Sequence, residues 1–165
     1  MSTLRAVLLL GATITMGLVD GVFALFAHTI MPGLKNTGDH TFVAAFQSID
    51  RAIINPWFMA GGFVGALAFT VAAAATNVGR AALPWIVAAL VLYLIAFAIT
   101  IAVNVPLNDA IKTAGNPDHI HDLAAVRERF HETRWTAWNL VRLATTTGAF
   151  GCLAWALILY GRSTP

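Results

Sequence analysis

The stretch AALPWIVAALVLYLIAFAITIAV, residues 81–103, carries no charged side chain from end to end. A helix needs about 20 apolar residues to cross a hydrocarbon core about 30 Å thick. Lipid offers backbone N–H and C=O groups no water, so a segment that crosses it must be helical or part of a closed barrel. A soluble helix of this length would keep a polar face. This one has none, and the chain is therefore read as a membrane protein.

Working outward, three more stretches have the same character, so the expected spans are residues 4–27, 57–76, 83–103 and 137–160. Of the 165 residues, 58% are hydrophobic and 11% charged, against about a quarter charged in soluble domains. Arg5 precedes the first span as in a signal peptide. The apolar run is too long for an h-region and no small-x-small cleavage site follows, so it reads as a retained helix. The expected fold is all-α: one integral membrane four-helix domain over residues 1–165, with a short amphipathic helix after the first span and a helical extension leading into the fourth. A net charge of +2 is too mild for nucleic acid. Cys152 stands alone, so no intramolecular disulfide forms.

The two longer connections, residues 28–56 and 104–136, hold every acidic residue except Asp20 and six of the basic ones. Counting Lys and Arg puts these connections in the cytoplasm, whereas net charge favours the N-terminus there. Gly17 with Gly21, and Gly61 with Gly65, have the small-xxx-small spacing that lets helices approach.

Asp20 lies inside the first span, and His28 follows two turns later on the same face. An ionisable group at that depth is expensive and marks a site by default. The third span closes in Asn104-Val105-Pro106-Leu107-Asn108-Asp109, two amides on one face around a proline. Such a pair can hold a polar ligand or cap a disrupted helix end. Arg127, His131, Trp135, Trp138 and Arg142 recur at spacings of four, four, three and four, a one-sided stripe flanked by Arg134 and Asn139. A plain interfacial belt would scatter around the helix. Arg142 needs a partner within the membrane, and Asp20 is the obvious candidate. His40, His119 and His121 fall in expected loops and read as solvated.

The set Met31-Pro32-Gly33-Leu34, Gln47, Asn55-Pro56, Asn104 to Asn108, Phe130, Arg134-Trp135, Trp138-Asn139 and Arg142 resembles the anthrone oxygenase family of small membrane proteins. The likeness runs over nearly the whole chain and is more specific for fold than for substrate. Asp50 stands where that pattern has an asparagine, and Asp20 where a small residue is commoner. The resemblance implies oxidation of an anthrone-like planar phenolic compound to a quinone by dioxygen, without a recognised cofactor. It implies a base in His28 or His131, with Arg142 and Asn139, and Asn104 or Asn108, around the enolate oxygen. Trp135 and Trp138 would stack on the substrate. Asp20 joins the expected catalytic set, and Gln47 and Asn55 the substrate-binding set.

An apolar substrate and dioxygen would both arrive through membrane lipid, and the expected setting is multi-pass in a bacterial plasma membrane. Two alternatives stand beside this reading. One is a non-catalytic membrane protein that binds a lipid, a quinone or a partner protein. The other is a metal site built from His28, His131 and carboxylates such as Asp20. A channel would require a homo-oligomer, because four short helices leave little room for a pathway.

Overall fold

The computed structural model describes residues 2–162 and is helical along almost all of that length. Helix α1 (Ser2–Leu25) continues through a π-helical turn, Phe26–Ile30, into α2 (Met31–Lys35). Helix α3 (Asp39–Ile53) follows. The second span opens as a π-helical segment, Trp57–Val64, and runs on as α4 (Gly65–Thr76). The third is α5 (Leu83–Ile99), a π-helical turn Thr100–Asn104, and α6 (Val105–Lys112). After a 3-10 turn at Pro117–His119 come α7 (Leu123–Phe130) and α8 (Glu132–Arg162). Four helices are long and apolar enough to cross a membrane. Helix α1 packs on α4 and α8, and α5 packs on the same two, which closes an up-and-down ring.

The second span matches the expected residues 57–76, and the other three are longer than expected. The first helix runs to Lys35 and the third to Lys112, through Pro32 and Pro106. Proline lacks an N–H and clashes with the carbonyl four residues back, so it normally ends a helix. Here each proline follows a π-turn, in which Met31 N–H reaches Phe26 O and Val105 N–H reaches Thr100 O. That wider turn lets the helix absorb the proline and continue.

Helix α8 starts at Glu132 because His131 adopts φ 51°, ψ 58°, a left-handed conformation that ends α7. Arg127 and His131 therefore do not share a helix face with Trp135 and Arg142, and the expected continuous stripe is broken. Of the expected glycine pairs, only Gly17 meets another helix closely. A Cβ there would lie 3.0 Å from Phe150 of α8; at Gly65 the close neighbour, 2.9 Å away, is Ala60 O of its own helix, and Gly21 and Gly61 face open space.

Helix α3 is the amphipathic cap. Its apolar face, Phe42, Val43 and Phe46, meets Phe130 and Trp135, with the Phe46 and Phe130 rings 4.4 Å apart. Burying each such ring contributes about 2–3 kcal/mol. The structure thus has two apolar clusters, one along the spans and one beneath the cap.

Candidate functional site

The seam between those clusters encloses a cavity of about 180 Å³. Phe23 and Phe26 from the first span, Phe46 from α3, Phe58 and Phe63 from the second span, and Trp135 from α8 form its walls. Two charged side chains, Asp50 and Arg142, are each 5% exposed, and both line it.

Asp50 falls in the apolar stripe of α3, one turn after Phe46, and so points into the cavity instead of into water. Its Oδ1 accepts a hydrogen bond from Asn108 Nδ2 at 2.7 Å. Its Oδ2 is buried without a hydrogen-bond donor and lies 3.3 Å from Lys112 Nζ. Asn108 in turn accepts from Trp135 Nε1 at 2.6 Å, which fixes both the amide and the indole.

Arg142 enters from α8. Its Nη2 donates to Asn139 Oδ1 at 2.7 Å and its Nη1 to Thr100 Oγ1 at 3.3 Å. The guanidinium carbon lies 4.3 Å from the Phe23 ring centre and 5.5 Å from that of Trp135. Its Nε is buried with no partner. Among the described residues no carboxylate pairs with it, so the cavity wall carries a desolvated cation held only by neutral groups and rings. Such a group is costly to bury and becomes favourable once an anion sits beside it.

The expected pairing of Asp20 with Arg142 is absent. Asp20 is half-buried on the α1–α8 seam, where Oδ1 accepts from Thr146 Oγ1 at 2.6 Å and Thr147 Oγ1 at 2.9 Å. It does not line the cavity. His28 is exposed and bonds Thr29 at 2.6 Å, and His131 is exposed at the α7–α8 break. Neither histidine lines the cavity. Among the described residues no three His, Cys, Asp or Glu side chains converge, so His28, His131 and Asp20 do not form the metal site weighed from the sequence.

The remaining candidates divide. Asn108 and Trp135 line the cavity, and Asn139 stands behind Arg142, its Nδ2 donating to Phe23 O at 3.0 Å. Asn104 is buried, with Nδ2 donating to Trp135 O at 3.4 Å and Oδ1 unpartnered. Gln47 is a strut: its Nε2 donates to Ile111 O and Gly115 O, and its Oε1 accepts from Arg51. Asn55 caps the second span, accepting from Phe58 N at 2.9 Å.

Trp138 is 38% exposed on the outside of the bundle. The buried face of α8 runs from Trp135, Asn139, Arg142 and Thr146 to Ala149, Leu153 and Ala156, and at 100° per residue Trp138 sits about 50° off its centre, at the edge of that face. The expected stacking role of Trp138 is therefore not met by its position.

Asp50, Lys112, Thr100 and the phenylalanine walls were not among the expected site residues. A signal for Asp50 existed: it is the one carboxylate on the apolar face of an amphipathic segment.

These features define a membrane helical bundle with a polar site enclosed under an aromatic cap. The chain belongs to the anthrone oxygenase family, whose family model matches residues 50–152. The match begins at Asp50 and takes in Thr100, Asn108, Lys112, Trp135 and Arg142, but not Asp20 or His28. No curated protein and no solved structure matches the chain.

Proposed function

We propose that this protein is a multi-pass oxygenase of the bacterial plasma membrane that oxidises an anthrone-like planar phenolic compound to a quinone with dioxygen. One observation carries the reading: a buried carboxylate and a buried, unpaired guanidinium share an aromatic-walled cavity. The first can accept a proton, and the second can hold the anion that results.

The methylene between two aryl rings is acidic because its carbanion is an aromatic enolate. Asp50 Oδ2, which faces the Lys112 ammonium at 3.3 Å but accepts no hydrogen bond, takes that proton. The enolate oxygen lies against Arg142, whose Nε is free to donate. Asn108 holds Asp50 and Thr100 holds Arg142, both from the third span. In an anthrone the methylene and the carbonyl face each other across the central ring, so the proton leaves from one edge and the charge gathers at the opposite one.

The enolate passes one electron to dioxygen, and the resulting radical and superoxide join in a new C–O bond. The proton held by Asp50 completes a hydroperoxide. Removal of the second C–H proton then breaks the O–O bond, giving the ketone and water. The substrate loses two hydrogens and gains one oxygen, so no external reductant is consumed.

The cavity is slightly larger than the roughly 150 Å³ void that admits benzene. A three-ring compound must therefore extend through the mouth, where Ile54 (57% exposed) and Val105 (42% exposed) line the cavity and also face outward. An apolar substrate reaches that opening from the lipid.

The test is quinone formation by purified protein in nanodiscs supplied with anthrone and air. Wild-type protein is expected to exceed autoxidation, with one dioxygen consumed per quinone. A rate equal to that of empty nanodiscs would overturn the reading.

A further inference from the structure

Lys112, in the last turn of α6, touches two carboxylates of very different surroundings. Its Nζ lies 2.8 Å from Asp109 Oδ1 and 3.3 Å from Asp50 Oδ2. The Asp50 side chain is 5% exposed, that of Lys112 28% and that of Asp109 50%. All three line the cavity, so the ammonium stands between the buried acid and the rim.

We propose that Lys112 is a positioning residue that keeps Asp50 ionised in the resting site, and that Asp109 retains Lys112 once Asp50 takes up a proton. A carboxylate removed from water favours its neutral form unless a cation lies within about 4–6 Å. Lys112 is the nearest cation to Asp50. A base must also be neutralised during its work, and that would strand a lone ammonium at a poorly solvated mouth. Asp109 prevents this, because it holds the same ammonium by the shorter contact.

Two carboxylates sharing one lysine thus let Asp50 change charge while the partly exposed Lys112 keeps an ionic partner. The other elements around Asp50 add little. Arg142 faces it across the cavity from α8, Arg51 on its own helix turns to Gln47, and the first and second spans present only apolar side chains.

This inference rests on reading Asp50 as the base, but its test needs no turnover. The probe is the carboxylic C=O stretch of Asp50, followed by infrared spectroscopy across pH in nanodiscs and assigned by its loss in Asp50→Asn. Lys112→Met should raise the pH at which Asp50 protonates, because the nearest cation is removed. Asp109→Asn should lower it, because Lys112 is then committed to Asp50 and a nearby negative charge is gone. Lys112→Arg should keep it close to wild type.

Opposite shifts from two adjacent positions are not produced by general loosening of the structure. Unchanged titration in both variants, or shifts of the same sign, would overturn the proposal. Asp109 is half-exposed, so its variant reads the effect even where Lys112→Met fails to assemble. Absence of quinone formation by wild-type protein would sink the oxygenase reading and leave these titrations to judge Lys112 independently.

Discussion

Asp50 and Arg142 line the same cavity, and among the described residues no ion pair joins them: Asn108 and Lys112 hold the carboxylate, while Thr100 and Asn139 hold the guanidinium. Two opposite charges in a region of low polarity would normally collapse into a pair. Their separation leaves room for a molecule that gives a proton at one end and carries negative charge at the other.

Asp50→Asn removes the proton acceptor while keeping the shape and the bond geometry around Asn108. Turnover of an anthrone is expected to fall by about 10²–10⁴-fold, the usual share of a general base, with KM nearly unchanged. Initial-rate kinetics across substrate concentration will separate the two constants.

Arg142→Lys keeps the charge but loses the planar fork that reaches Asn139 and Thr100 together and lies over Phe23. A loss on the order of ten- to a hundredfold is expected, mainly in kcat, since the enolate forms after binding. A change confined to KM would instead indicate that Arg142 only helps to bind the substrate.

His28→Ala and His131→Ala are expected to leave the rate within about twofold of wild type, because both rings are exposed and neither lines the cavity. A collapse of activity in either variant would move the base away from Asp50.

The two indoles should separate cleanly. Trp135→Phe deletes the donor to Asn108 and is expected to cost about 1–2 kcal/mol of stability and to lower activity. Trp138→Phe changes an outward-facing ring and should do neither. Thermal denaturation in detergent and quinone yield will report the pair.

Ile54→Trp or Val105→Trp narrows the mouth. Either is expected to reduce kcat/KM for a three-ring substrate by about tenfold, with little effect on the binding of a one-ring phenol that fits within the cavity.

Much of this architecture was legible before any coordinates, because the uncharged run at residues 81–103 admits one reading in lipid. Helix ends were not. Pro32 and Pro106 signal termination by local rules, and only the π-turns before them, which need the whole bundle for support, carry the helices onward. Spacing on a helix singled out Asn108, Trp135 and Arg142, and all three line the cavity.

Asp50 was not singled out because histidine titrates near neutrality and drew attention to His28 and His131, whereas burial of Asp50 depends on how α3 folds over the bundle. Trp138 shows the complementary error: periodicity gives a face, but not which flank of it meets a neighbour. Asp20 does lie within a span, but it is only half-buried, and two threonine hydroxyls, not Arg142, receive it.

The central claim is that Asp50 takes a proton from a substrate held against Arg142, and anaerobic binding tests it most directly. Without oxygen the reaction stops at the enolate, whose absorption is shifted to longer wavelength than that of the neutral ketone. Wild-type protein in nanodiscs titrated with an anthrone should accumulate the bound anion to a stoichiometric endpoint, and Asp50→Asn should bind the compound in its neutral form. Equal anion formation in the two proteins, or none in wild type despite binding, would contradict the account.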